Sequence, residues 1–198
     1  MRLRVATVVS GRGSNLAALL RTLGEGDDAP ARVVLVISDR EEAGGLAVAR
    51  AHAIPAHVLN DIADPAEWLR VLNEARVELV VLAGYLKRVP AAVVRAYRGR
   101  LLNIHPALLP RHGGQGMYGR RVHEAVLAAG DTRSGATVHL VSEEYDRGPI
   151  LGQASVPVLP DDTPETLAAR VLEVEHRLLP AAVLAAARAG KPVPFTSP

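Results

Sequence analysis

The sequence predicts an α/β protein built on an open sheet that is mostly parallel. Short apolar runs rich in β-branched residues alternate with helix-like segments along much of the chain. These runs are apolar on both faces, which is typical of parallel strands covered by helices on each side. Near the C-terminus two runs are separated only by EEYDRGP, too short a connection for a parallel crossover. Together these observations predict a Rossmann-like sheet with helices on both faces and an antiparallel C-terminal strand pair.

The first part of the chain contains three pairs of a strand and a helix. RVATVVS and RVVLVIS are β-branched runs, and the segment after the second is rich in alanine. The predicted strands are Arg4–Ser10, Arg32–Ser38 and Ala56–Leu59. The predicted helices are Asn15–Leu23, Gly45–Ala53 and Ala66–Ala75.

The later elements begin with VELVVLAG, which is apolar enough to be a central strand at Val77–Gly84. A strand at Leu101–His105 and a helix at Arg121–Ala129 follow. Gly135–Ser142 and Ile150–Val158 are predicted to pair antiparallel. The last helix should begin with Thr163 as its N-cap and Pro164 at its first position, and Pro180 should kink or end it.

Length and composition favour one domain covering residues 1–198, since that is an ordinary length for a single core. The formal charge of +2 comes without a basic block interleaved with aromatic residues, so we expect no nucleic-acid partner. The chain has no cysteine, which suits a reducing compartment and excludes thiol chemistry. No apolar run approaches the ~18–20 residues of a membrane span, so we expect a cytoplasmic protein without membrane contact.

A glycine-containing turn, SGRGSNL, joins the first strand to the first helix. Free amides at a helix N-terminus attract anions, so Gly13, Ser14 and Asn15 could hold a monophosphate. The turn lacks a P-loop lysine, and Leu16 stands where a dinucleotide fingerprint needs its third glycine. A dinucleotide site, with Asp39 as ribose ligand, is therefore a weaker alternative, and a turn without any ligand is another.

Asn103 and His105 occupy alternate positions of one apolar strand, so their side chains share a face. Ligands of open α/β sheets bind near the carboxyl ends of such strands. Asp146 lies in the turn between the two last strands, from which it could approach the same region. An amide, an imidazole and a carboxylate without a nucleophile suit direct acyl transfer. His105 could instead be a structural residue, and His139 is interpreted as a core residue hydrogen-bonded to backbone.

Other chemistries receive less support. The seven histidines include no HExxH pattern or close pair on one helix, so we expect no metal site. The serines of the first loop lie in no G-x-S-x-G turn, which argues against a serine hydrolase. A non-catalytic nucleotide-binding module would use the first loop but would leave Asn103 and His105 unexplained.

The chain resembles the folate-dependent glycinamide ribonucleotide formyltransferases of purine synthesis over nearly its whole length. The matching segments, in the family's order, are SGRGSNL, VELVVLAGYLKRV, RLLNIHPALLP, GATVHLVSEEYDRGPILGQASVPV and DTPETLAARVLEVEH. One segment departs from the family: RHGGQGMYGRR replaces its common PGLH-type sequence, which predicts a differently shaped loop at Arg111–Arg121. The segment DPAEW also lacks an arginine that contacts the folate in some members.

The resemblance implies a role for each matching residue. It implies that the catalytic residues are Asn103, His105 and Asp146. It implies that the acceptor is held at its phosphate by Gly13, Ser14 and Asn15, and at its ribose hydroxyls by Glu175. It implies a pterin pocket formed by Lys87, Arg88, Val89, Ser142, Glu143, Glu144, Tyr145 and Asp146.

The implied reaction moves the formyl group of 10-formyltetrahydrofolate to the amine of glycinamide ribonucleotide without a metal. We expect small-molecule partners only and a monomer or homodimer. A formyltetrahydrofolate hydrolase and methionyl-tRNA formyltransferase share the same trio. Each needs an additional domain for which 198 residues have no room, so both are less favoured than the transferase. A hydrolase-like enzyme is the alternative reaction.

Overall fold

A computed structural model describes residues 2–24 and 28–196, which form a seven-stranded sheet flanked by helices. The strands are β1 (Leu3–Val9), β2 (Ala31–Ser38), β3 (Ala56–Val58), β4 (Leu79–Leu82), β5 (Leu101–His105), β6 (Arg133–Leu140) and β7 (Ile150–Pro157). The helices are α1 (Ser14–Leu23), α2 (Gly44–Ala51), α3 (Pro65–Glu74), α4 (Ala91–Ala96), α5 (Arg120–Ala128) and α6 (Pro164–Ala189).

The strand order is β3-β2-β1-β4-β5-β6-β7. The first five strands are parallel to one another, whereas β6 runs antiparallel to both β5 and β7. The predicted fold class, including the antiparallel C-terminal pair, is confirmed. The crossover from β3 to β4 returns the chain to the other side of β1 and so reverses the direction in which strands are added. The carboxyl ends of β1, β4 and β5 therefore border a crevice suited to a ligand.

Helices cover both faces of the sheet. On one face α1, α2 and α6 pack on the strands through a buried cluster that includes Leu16, Leu46 and Leu178, and α5 joins them. On the other face α3 and α4 bury Trp68 and Val93 against the sheet. Every residue of β4 is buried, as its continuous apolar sequence predicts. In the part of the chain that is described, no helix is both long and apolar enough to cross a membrane.

The element boundaries differ from the sequence prediction by one or two residues at most ends, and three differences have a clear structural cause. The helix α4 was not predicted, because six residues are too few to establish a helical period. The central strand is only Leu79–Leu82, because the chain turns away at Gly84, where φ is +75°. The last helix begins at Thr163 and Pro164 as predicted, with a capping box to Thr166, but it does not end at Pro180.

Helix α6 continues past Pro180 because the helical turns before and after this proline are both buried in the core. Proline removes one backbone hydrogen bond from a helix. Leu178, Leu179, Ala182 and Val183 are nearly inaccessible to solvent on either side of Pro180. Their burial holds the helical backbone in place despite the lost bond, and the helix therefore carries residues from the cleft to the C-terminal edge.

The turn before α1 requires glycine for two reasons. Gly13 has φ +79° in the left-handed region, and a Cβ built on it would lie 2.5 Å from the Cα of Gly45. Gly45 is itself part of the close approach, since its amide donates to the carbonyl of Gly11. The first turns of α1 and α2 are thus packed backbone to backbone.

We expect Gly13→Ala to destabilise the protein much more than Gly99→Ala. Gly99 also has a left-handed φ, +74°, but a Cβ there meets no atom within 4 Å. Gly99→Ala should therefore cost only the backbone strain, about 1 kcal/mol. Gly13→Ala should cost roughly 2 kcal/mol more because the new methyl group collides with backbone. Urea unfolding midpoints measured at equal m-values test this, and equal midpoints for the two variants would contradict it.

Candidate functional site

A cleft of about 1100 Å³ opens at the carboxyl ends of β1, β4 and β5. Its walls contain every residue to which the family resemblance assigns a role in the site. These residues are Gly13, Ser14, Asn15, Lys87, Arg88, Val89, Asn103, His105, Ser142, Glu143, Glu144, Tyr145, Asp146 and Glu175. Asp39, the weaker nominee for a dinucleotide ribose, is not among the lining residues. The cleft therefore joins the first loop to Asn103, His105 and Asp146 in one space.

The amide of Asn103 is oriented by His139, which lies opposite it in the β5–β6 register. Asn103 Nδ2 lies 3.1 Å from His139 Nε2, and His139 Nδ1 lies 2.9 Å from the carbonyl oxygen of Leu140. Because Nδ1 must donate to that carbonyl, Nε2 of a neutral His139 accepts from the Asn103 amide. One amide hydrogen of Asn103 is thereby occupied and the other is available to a ligand.

His139 is a site residue that the sequence analysis missed. Its backbone hydrogen bond was expected, but its second ring nitrogen faces Asn103 and lies 3.5 Å from Asp146 Oδ1. The sequence feature that could have indicated this role is the position of His139 in β6, two residues after Thr137, because β6 is the strand next to β5. That feature could be used only after the pairing of β5 with β6 was known.

The His105 imidazole is hydrogen-bonded at one ring nitrogen and faces a carboxylate with the other. Nε2 lies 2.8 Å from the carbonyl oxygen of His112, and Nδ1 lies 3.6 Å from Asp146 Oδ2. A carbonyl only accepts hydrogen bonds, so Nε2 must carry a hydrogen at that distance. In a neutral His105 the unprotonated nitrogen is therefore Nδ1, which faces Asp146 and the cleft. Nδ1 is the nitrogen that can gain or lose a proton beside a bound ligand.

Asp146 is fixed by the loop that faces it. Its backbone is left-handed, with φ +54°, and its Oδ2 accepts from the amide of Gly114 at 2.9 Å. Burial by itself raises the pKa of this carboxyl, but the neighbouring His139 and His105 rings and the Gly114 amide together bring it below its usual value. Asp146 is therefore ionised at neutral pH.

The pKa of His105 is lowered from its ordinary value. A carboxylate as close as Asp146 would be expected to raise the pKa of an imidazole, and this expectation is wrong for the net effect here. Burial is the largest cause, since His105 is only 3% exposed, and the Asp146 charge and the His112 carbonyl offset it only in part. In the unliganded protein the neutral imidazole is favoured.

The first loop presents the start of α1 to the same cleft. No side chain caps α1, so its first backbone amides have no partner within the helix. Asn15 is buried, and its Nδ2 donates to Glu175 Oε2 at 2.7 Å. Glu175 projects from α6 and is itself buried, which raises its pKa to about 7, opposed by the Asn15 hydrogen bond. The cleft thus offers an anion-binding helix terminus next to a carboxyl group of high pKa.

The opposite wall joins the segment after β4 to the turn that follows β6. Arg88 Nη2 donates to the carbonyl of Glu143 at 3.1 Å, and its guanidinium lies 5.7 Å from the centre of the Tyr145 ring. Arg95 forms an ion pair with Glu143 at 3.3 Å. Leu86 and Tyr145 are both more than two-fifths exposed at the mouth of the cleft. This wall combines apolar surface with backbone polar groups, as a planar heterocyclic ligand requires.

Residues 2–24 and 28–196 contain no group of three or more His, Asp or Glu side chains placed to hold a metal ion.

Comparison with known proteins matches residues 3–183 to the formyl transferase family model. A phosphoribosylglycinamide formyltransferase of Arabidopsis thaliana, named as chloroplastic, is 45% identical over 89% of this chain. The chain spans 63% of the length of that relative. The crystal structure of a phosphoribosylglycinamide formyltransferase from Anaplasma phagocytophilum superposes with a TM-score of 0.88 at 38% identity, covering 96% of this chain and 88% of that one.

A more distant structure is also similar. A formyltetrahydrofolate deformylase from Pseudomonas syringae has a TM-score of 0.79 at 28% identity, with 95% of this chain and 60% of that chain covered. Proteins named as formyltransferases and a protein named as a deformylase therefore share this fold.

We expect Glu175→Gln to stabilise the protein at pH 8 but not at pH 4. The folded-state pKa of about 7 lies above the ordinary value of 4.5, so stability is lost as pH rises through this window. Glutamine keeps an oxygen acceptor for Asn15 and has no charge to bury, so the gain at pH 8 should approach about 3 kcal/mol. Urea unfolding at the two pH values measures it.

The control for this change is Glu74→Gln, which alters a carboxylate on an exposed helix surface. Its effect should be small and should not grow between pH 4 and pH 8 in the same manner. A Glu175→Gln protein that gains no stability on going to pH 8 would show that Glu175 is not held in an unfavourable ionised state.

Proposed function

The chain belongs to the formyl transferase family, and from this premise we propose that it transfers a formyl group from 10-formyltetrahydrofolate to glycinamide ribonucleotide in purine synthesis. The two relatives named as phosphoribosylglycinamide formyltransferases, at 45% and 38% identity, support this acceptor. We further propose that residues 1–198 act as one formyltransferase domain on small molecules.

The observation that carries the proposal is that one cleft contains both an anion-binding helix terminus and the Asn103, His105 and Asp146 side chains. Glycinamide ribonucleotide has a phosphate at one end and a primary amine at the other. With its phosphate on the amides of Gly13, Ser14 and Asn15, its ribose hydroxyls can reach Glu175. Its amine then extends toward His105, where the formyl group must be presented.

In this proposal the acceptor's amine attacks the formyl carbon directly. The C=O electron pair moves to oxygen, and the free amide hydrogen of Asn103 and the N–H at Nδ1 of protonated His105 donate to the resulting oxyanion. The tetrahedral intermediate collapses by breaking the bond to N10 of the folate. One proton passes from the amine to that nitrogen, with Asp146 and His105, or a water between them, carrying it.

The lowered pKa of His105 is consistent with this order of reaction steps. A neutral imidazole can accept the proton that the amine loses as its bond to carbon forms. The imidazolium is then formed when the oxyanion appears, and Asp146 stabilises its charge. His105 therefore acts as a base first and as an oxyanion partner afterwards.

The pterin of the donor fits the wall formed by Lys87, Arg88 and Val89 with the turn Ser142, Glu143, Glu144, Tyr145 and Asp146. Backbone groups of these segments can pair with the edge of a pterin ring, and Tyr145 and Leu86 supply apolar surface. The proposal requires no metal ion.

Hydrolysis of the formyl donor is the alternative, because a deformylase shares the fold. In that reaction water replaces the amine and the phosphate site has no purpose. The uncapped start of α1, with Glu175 beside it, favours transfer to a phosphorylated acceptor.

Incubating the protein with 10-formyltetrahydrofolate should release tetrahydrofolate rapidly only when glycinamide ribonucleotide is present. The formylated acceptor should form in equal amount, as measured by absorbance and mass spectrometry. The matched control is the same acceptor without its phosphate, which should react far more slowly because the helix terminus has no anion to bind. Formate release at the same rate with and without acceptor would support the hydrolase reaction and contradict the proposed formyl transfer.

Asp146→Asn should lower turnover by roughly a thousand-fold, the scale of a positioned acid–base group, while leaving the fold intact. Asparagine keeps an oxygen acceptor for the Gly114 amide but cannot stabilise the imidazolium. Steady-state kinetics at saturating substrates measure the loss, with Glu74→Gln as the control for removal of a surface carboxylate. Near-normal turnover of the Asp146→Asn enzyme would remove Asp146 from the mechanism.

A further inference from the structure

The His112 carbonyl that accepts from His105 Nε2 belongs to a residue in an uncommon backbone conformation. His112 has φ +53°, and non-glycine residues rarely occupy this left-handed region. The conformation directs the His112 carbonyl at the His105 ring, 2.8 Å away. Something must hold the backbone there, because the strain of this region favours its release.

The His112 side chain is held by Asp131. His112 Nε2 lies 2.6 Å from Asp131 Oδ2, and Arg111 Nη2 lies 2.5 Å from Asp131 Oδ1. The Asp131 side chain is only 12% exposed, and its backbone amide bonds to the carbonyl of Val126 at the end of α5. Asp131 therefore links two consecutive residues of the loop to the C-terminal end of α5, and we call this arrangement the clamp.

The segment that precedes Arg111 is also held in place by hydrogen bonds. Thr137 Oγ1 donates to the carbonyl of Ala107 at 2.6 Å and accepts from the amide of Leu109 at 3.1 Å. Gln153 Nε2 donates to the carbonyl of Leu109 at 2.9 Å. The segment from β5 to Pro110 is thus tied to β6 and β7, and Asp131 fixes the next two residues.

We propose that His112 and Asp131 are positioning residues for His105, acting through the His112 carbonyl to keep a hydrogen on His105 Nε2. The clamp reserves Nδ1, the nitrogen facing Asp146, for proton exchange. This inference rests on the proposed function only in taking His105 as the reacting imidazole. Neither residue is placed against a reactant, and neither lies in the five short motifs on which the sequence resemblance rests.

A purely structural role for the pair makes a different prediction. If the ion pair only stabilises the loop, its loss lowers the unfolding midpoint without changing the His105 ring. If the clamp positions the carbonyl, its loss allows the neutral ring to place its hydrogen on Nδ1, toward Asp146. The two tautomers are distinguished by the ¹⁵N shifts of the two ring nitrogens in two-bond ¹H–¹⁵N correlation spectra.

The experiment compares wild-type protein with Asp131→Ala, Asp131→Asn and the surface control Glu74→Gln. In wild-type protein at pH 7.5 we expect the hydrogen of His105 on Nε2. Asp131→Ala should shift the ring toward the Nδ1–H form and lower kcat roughly ten-fold, the scale of one positioning hydrogen bond, with the acceptor's KM changed less than about two-fold. Asp131→Asn keeps an oxygen acceptor for His112 and should recover most of the loss.

An Asp131→Ala protein whose His105 tautomer is unchanged would overturn the proposal, whatever its activity. So would a wild-type His105 that carries its hydrogen on Nδ1. If wild-type protein transfers no formyl group, the proposed function fails, but the tautomer comparison still decides whether Asp131 positions His105. Unfolding midpoints of the same variants show that each protein is folded when its spectrum is recorded.

Discussion

The alternation of side chains along β5 is the constraint on which the candidate site depends. Asn103 and His105 share one face of a strand that pairs with parallel β4 on one side and antiparallel β6 on the other. The reversal at β6 brings His139 opposite Asn103 and Thr137 opposite His105. A shift of one residue would turn both β5 side chains to the other face. Leu102 and Ile104, which are apolar and buried on the opposite face, fix that register and with it the direction of the amide and the imidazole.

Burial acts on the three ionisable groups of the cleft in ways that suit different tasks. It lowers the pKa of His105, raises that of Glu175 to about 7, and is overcome at Asp146 by the neighbouring histidine rings and a backbone amide. Groups with separated pKa values in one cleft are typical of sites that move protons. Glu175 also shows the cost of such a site, because a buried carboxylate whose hydrogen-bond partner is the neutral Asn15 amide destabilises the fold that presents it.

The loop after β5 contributes backbone groups rather than side chains. The His112 carbonyl faces His105 and the Gly114 amide faces Asp146, so two neighbouring residues of one loop contact both members of the pair. Backbone polar groups are rigid when their own residues are fixed, and here Thr137, Gln153 and Asp131 fix them. The close contact of Gly13 with Gly45 serves the same purpose at the other end of the cleft, where it sets the direction of α1.

The sequence by itself determined the fold class, the order of most elements and the nomination of Asn103, His105, Asp146 and the first loop. Periodicity, capping residues and the spacing of two residues on one strand are local properties, and local properties can be read from neighbouring letters. Only the tertiary structure decided that His139 faces Asn103, that burial outweighs Asp146 in setting the His105 pKa, and that Asp131 holds His112. These contacts join residues about 20 to 40 positions apart, and each depends on strand register, left-handed backbone and exclusion of water, which no short stretch of sequence encodes.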